Sequence, residues 1–97
     1  MTSGAVLSPR ARADINGIWD HTEQHWGAEQ AERYVRQLWN DITYLAADPR
    51  RGQDCAHIRA GYQKFSSGSH VVFYRLIPGG IDIVRILHSR MDFGRHL

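Results

Sequence analysis

At 97 residues and 11.1 kDa, with 42% hydrophobic residues, the chain amounts to one domain able to close a modest core without metal or disulfide help. Mean hydropathy is −0.46 and no apolar run approaches the roughly 18 residues of a membrane span, while Met1-Thr2-Ser3-Gly4 carries neither a basic nor a long apolar leader. Cys55 stands alone, which excludes an internal disulfide and fits a reducing compartment, so the expectation is a single soluble cytoplasmic domain over 1–97.

Ala5-Val6-Leu7-Ser8 reads as a short strand, and Ser8-Pro9 as a helix opening, with serine capping and proline at the first helical position. Ala11, Ile15, Ile18, Thr22 and Trp26 then recur at helical spacing, with Trp19 beside them, until Gly27 breaks the pattern. A second helix follows, its stripe made of Ala31, Tyr34, Val35, Leu38, Ile42 and Leu45, and Asp48-Pro49 stops it. The two helices are expected to form an antiparallel hairpin about Gly27. Arg50–Asp54 is a polar loop. Beyond it Tyr62–Ser66, His70–Ile77 and Ile81–His88 are strands, separated by Ser67-Gly68 and by Pro78-Gly79-Gly80. Short turns make them an antiparallel meander, and the tail from Ser89 is polar with Met91, Phe93 and Leu97 interspersed. The expected fold is α+β: an N-terminal strand, a helix hairpin and a three-stranded meander in two layers, with the second sheet face left open.

Charge is unevenly spread along this framework. Residues 1–49 hold four basic groups against seven acids, whereas residues 50–97 hold eight against three. Eleven of the twelve basic residues are arginine, whose forked guanidinium suits carboxylate or phosphate. The second half is therefore expected to meet an anionic partner. Strict alternation with a turn centred on Gly80 places Arg75 opposite Arg85, an arrangement that asks for an anion between them or for internal acids to answer each.

The chemistry-bearing residues form weaker patterns. His21 and His25 have the i, i+4 spacing of metal ligands but lack a third ligand, and flanking histidines of an apolar stripe commonly just pack. Arg85, His88, Arg90 and Tyr74 include the types needed for metal-free RNA cleavage, yet alternation turns His88 and Tyr74 toward the helices, as packed residues. Cys55, in a polar loop, is read as incidental rather than nucleophilic. Trp19 and Trp39 sit at the edges of their stripes, where tryptophan either caps a core or lines a partner's groove.

The motifs Leu7-Ser8-Pro9-x-Ala11, Ile18-Trp19-Asp20, Trp26-Gly27 and Gln30-Ala31-Glu32-Arg33-Tyr34 resemble the first half of ParE toxins, in the RelE/ParE superfamily of bacterial type II toxin–antitoxin systems. The second half is similar too: Asp48-Pro49-Arg50-x-Gly52, Ile58-Arg59-x-Gly61-Tyr62 and His70-Val71-Val72-Phe73-Tyr74-Arg75. Ile83-Val84-Arg85-Ile86-Leu87-His88-x-Arg90-Met91-Asp92 and a closing His96-Leu97 follow. The match runs in order through nearly the whole chain. It implies a toxin neutralised by a ParD-like antitoxin in a hetero-oligomer. The implied target is DNA gyrase, inhibited by binding rather than catalysis, with no cofactor, metal or membrane and no sequence-specific nucleic-acid contact by the toxin alone. The expected antitoxin contacts are Trp19, Trp39, Arg59, Lys64, Phe73, Arg75 and Arg85, and the expected target contacts are Arg90, Met91, Asp92 and Phe93. The alternative is a ribosome-dependent mRNA endonuclease of the RelE type. Against it, Ser89 follows His88, Phe93 lacks a hydroxyl, and Lys64 is the meander's one lysine.

Overall fold

Ser8 organises the first turn of the fold in a computed structural model that describes residues 4–97; Met1–Ser3 lie outside the described residues. Its Oγ accepts from the Ala11 amide at 3.0 Å and donates to the Val84 carbonyl at 2.8 Å, so one hydroxyl caps a helix and ties it to a strand. Strand β1 (Ala5–Leu7) precedes it and helix α1 (Pro9–Trp26) follows. Gly27, at φ +93°, donates its amide to Glu23 at 2.9 Å and accepts from Ala31 at 3.1 Å, closing α1 and opening α2 (Ala28–Ala47) with a single residue. The hairpin is as the spacing predicts. Asp48 ends α2, its carboxylate accepting from the Arg50 amide, and a single 3₁₀ turn, Pro49–Arg51, follows.

The sheet has five strands in the order β1-β5-β4-β3-β2, with β2 at Gln53–Asp54, β3 at Gln63–Ser67, β4 at His70–Ile77 and β5 at Gly80–His88. The meander β3-β4-β5 is antiparallel as expected, while β1 joins it parallel to β5. Gly80 permits that junction, because a Cβ there would strike the backbone of Gly4. The expected polar loop at 50–54 holds β2, and the polar tail turns into a short helix, α3 (Phe93–His96).

Two cores flank the sheet. Ala11, Ile15, Ile18, Leu38, Ile42 and Leu45 of the helices pack on Val72, Tyr74, Ile81, Ile83 and Ile86. Each fully buried Leu or Ile contributes roughly 1.5–3 kcal/mol of transfer free energy. Trp26, placed in this stripe by its spacing, is instead 73% exposed, because α1 has run past the sheet by its last turn. On the other face Cys55, Val71, Phe73 and Leu87 form a second cluster, covered by Ile58, Tyr62, Val84, Phe93 and Leu97. That face is therefore not open: the 55–62 loop and α3 close it.

The register also departs from simple alternation. The turn is Pro78-Gly79, with Gly79 at φ +81°, so Ile77 pairs with Gly80 and Arg75 with Asp82. Phe73 then opposes Arg85 while Tyr74 opposes Ile83, leaving Val84 as the extra residue of a β-bulge. The bulge shifts the phase, so Ile83 and Ile86, three apart, both face the helices, and Val84 joins Leu87 on the other side.

Candidate functional site

The two arginines expected to face each other are separated and answered by acids of this chain. Arg75 Nε meets Asp82 Oδ2 at 2.9 Å on the surface. Arg85 reaches over the unpaired half of the β5 edge to α1, where its Nε and Nη2 donate to the two oxygens of Asp14 at 2.8 and 3.0 Å. Asp14 Oδ2 also accepts from the Ile86 amide at 2.8 Å, and Arg85 Nη1 donates to the His96 carbonyl at 3.2 Å. The Arg85 side chain is only 12% exposed, and its hydrogen bonds to Asp14 raise its pKa further. The register keeps Arg75 and Arg85 apart, and Arg85 ties β5 to α1.

Phe73 is fully buried and packs edge-on against Phe93 at 4.8 Å between ring centroids. The fully buried Phe73 is therefore not available as a surface anchor for an antitoxin, while Phe93 is half-buried. Arg90, Met91 and Asp92 are exposed in the turn between β5 and α3. Arg59 is exposed, with Nη1 donating to the Leu97 carbonyl at 3.0 Å; Lys64 is half-buried on β3; Trp19 is half-buried on α1. The expected antitoxin contacts thus do not share one surface.

Trp39 alone among them lines an apolar groove. It is 40% exposed beside Ile42 and Thr43 of α2, and faces Ala5, Val6 and Leu7 of β1, with Arg12 at the rim, around a volume of about 450 Å³. Val6 is exposed there too. β1 sits at the edge of the sheet, with β5 on its one paired side, so the outer side of its backbone borders the groove.

A second cleft, of about 380 Å³, lies at the far end of the hairpin, between Trp26 and the paired ends of β4 and β5. Tyr34 Oη accepts from the Ser69 amide at 2.9 Å and shares a hydrogen bond of 2.6 Å with His70 Nδ1. His88 accepts from the Arg90 amide at Nδ1, and its ring meets that of His70 edge-on at 5.2 Å. Burial, reinforced by His88 and His21, pushes the His70 pKa down to about 4. The sequence contains each of these histidines, but only the pairing of His70 with His88 brings them together. His21 and His25 stack at 4.2 Å, and among the described residues no three His, Cys, Asp or Glu are placed to hold a metal.

The set once suited to RNA cleavage is dispersed. Tyr74 is fully buried, its hydroxyl donating to the Pro49 carbonyl at 2.6 Å and lying 3.0 Å from the Gln63 amide oxygen. It pairs with Ile83 whereas His88 pairs with His70, four residues along β4, or about 13 Å at strand rise. Cys55 is buried in the second core, and burial pushes its thiol pKa up, the reverse of an activated nucleophile.

A helix hairpin on a five-stranded sheet, with apolar grooves at its rim, defines a small α+β domain. A family model described as "ParE toxin of type II toxin-antitoxin system, parDE" matches residues 5–93. The chain belongs to that family. It is 51% identical over 98 residues to "Toxin ParE1" of Mycobacterium tuberculosis, covering 100% of both chains. Identity to "Toxin ParE1" of Caulobacter vibrioides is 47% over 91 residues, 94% of each chain, and to "Toxin ParE" of Escherichia coli 33% over 90 residues, 90% of this chain and 85% of that one. A solved structure described as "Chromosomal ParDE TA system from P. aeruginosa" shares the fold at TM-score 0.78 and 20% identity, over 90% of this chain and 96% of that one. Among the described residues no helix is long and apolar enough to cross a membrane.

Proposed function

We propose that this toxin inhibits DNA gyrase by binding it, and that a ParD-like antitoxin silences it by seating an apolar segment in the groove between β1 and α2. Full-length similarity to ParE toxins supports the gyrase reading, and the exposed Trp39–Val6 groove supports the seat. Tryptophan in a partly enclosed apolar groove is the residue type that most often dominates an interface. The exposed turn Arg90–Asp92 is the proposed gyrase contact, while Phe93 holds that turn to the sheet from beneath.

Purified toxin added to gyrase and supercoiled DNA should trap cleavage complexes, and the cognate antitoxin should reverse the effect. Trp39→Ala should weaken antitoxin affinity by at least tenfold, equivalent to about 1.4 kcal/mol. Codon-phased mRNA cuts on translating ribosomes, with gyrase unaffected, would replace this reading with the endonuclease one. Unchanged antitoxin affinity in Trp39→Ala would move the seat elsewhere.

A further inference from the structure

Four arginines from distant parts of the chain converge on one cleft that the antitoxin groove does not touch. Arg10 in the first turn of α1, Arg59 in the covering loop, Arg85 on β5 and Arg95 on α3 line a volume of about 330 Å³, with Tyr62 and Val84 at its wall. The fold fixes two of them. Arg85 is clamped by Asp14 and the His96 carbonyl, and Arg59 by the Leu97 carbonyl. Arg85 spends three of its five N–H groups in this way and Arg59 one, so Arg59 above all still presents its fork, already oriented. Arg10 is exposed, and Arg95 has only a 4.0 Å approach to Asp92, with both side chains mostly in water.

The negative charges nearby are committed. Asp14 accepts three hydrogen bonds, two from Arg85 and one from the Ile86 amide. The α1 macrodipole adds positive potential beside Arg10, since the first turn of that helix contains no acid. Four of the eight lining residues are arginines and none is an acid; His96 and Leu97 complete the wall. A peptide anchor wants an apolar pocket, which this molecule offers at Trp39 and Trp26 instead; a phosphodiester wants only charge and donors. Nor does the cleft offer a free aromatic face for stacking an unpaired base, since Tyr62 is packed into the second core under Arg59.

We propose that this arginine cleft binds the sugar–phosphate backbone of duplex DNA, without reading its sequence. The toxin then carries a DNA-contacting surface of its own, separate from the antitoxin groove. It does not depend on gyrase being the target, because the isolated toxin should show it.

The test is fluorescence anisotropy of purified toxin with a labelled DNA duplex at several salt concentrations. With three phosphates engaged by Arg10, Arg59 and Arg95, affinity should fall about 40-fold between 50 and 200 mM salt. The triple variant Arg10→Gln, Arg59→Gln, Arg95→Gln should lose most of that binding, and its salt slope should drop by roughly two to three. Arg10→Gln with Arg95→Gln, which breaks no internal hydrogen bond, should lose more than half of the slope while melting like the parent. Arg33→Gln with Arg36→Gln on α2, an equal loss of charge elsewhere, should bind as the parent does. The proposal is overturned if the cleft variants bind the duplex as tightly as the parent, or if the α2 variant loses as much. It is also overturned if the parent shows no salt-dependent binding at 50 mM, or if a polyglutamate peptide of equal charge or a single strand binds more tightly than the duplex.

Discussion

Replacing Asp14 with alanine should damage this molecule far more than removing any other acid on α1. Its carboxylate answers both donors of the Arg85 fork and the Ile86 amide, and the Asp14 and Arg85 side chains are only 14% and 12% exposed. Truncation leaves a nearly buried guanidinium and a strand amide without their acceptor. Breaking one side of such a pair costs about 3–5 kcal/mol, against roughly 5–15 kcal/mol for the whole stability of a typical domain. Taking 3 kcal/mol and about 4–8 °C per kcal/mol for a domain of this size, the melting midpoint should fall by about 12–24 °C. Differential scanning calorimetry of the parent, Asp14→Ala, Arg85→Met and the double variant closes a thermodynamic cycle. The double variant should be more stable than the sum of the singles predicts, since it leaves no unpaired charge. A loss below about 1 kcal/mol in Asp14→Ala, the size of an exposed ion pair, would refute the claim that this tie holds α1 to the sheet.

Further outcomes follow from the buried polar groups. The His70 imidazole should titrate near pH 4 by NMR rather than near 6.5. Because its pKa is depressed in the folded state, the unfolded chain takes up the proton first, so His70 lowers stability as pH falls from about 6.5 toward 4 and has no such effect above that window. A folded-state titration near 6.5 would contradict the burial described here. Tyr74→Phe should cost about 1–2 kcal/mol in urea melts, through the orphaned Pro49 carbonyl, and leave growth inhibition intact. Loss of toxicity at unchanged stability would instead assign the hydroxyl a chemical role.

The parts of the fold written in local sequence were legible. Ser8-Pro9, the single Gly27 between two stripes, and Asp48-Pro49 each impose their geometry on neighbours a few residues away. The parallel seat of β1 and the two-residue β2 were not, since Gln53 and Asp54 are exposed polar residues with no alternation to detect. The bulge at Val84 was hidden for a related reason. An inserted residue leaves perfect alternation on either side of itself, and only the partner strand reveals the slip. One available signal went unused: Val71-Val72-Phe73-Tyr74 is a continuous apolar run, the mark of a strand covered on both faces, and it argues against an open sheet. The exposed place of Trp39 on the groove was legible from its position at a stripe edge. Arg75 and Arg85 were misplaced because their partners, Asp82 and Asp14, are set by register and by a helix 71 residues away in sequence.

The sheet ends in three residues on one side and two on the other. A long bare margin would let copies of the chain zip together through their backbones; on the stretch of β5 that β1 leaves uncovered, the Asp14 carboxylate occupies the Ile86 amide. A strand edge stopped in this way by a side chain of its own molecule resists pairing with a second copy.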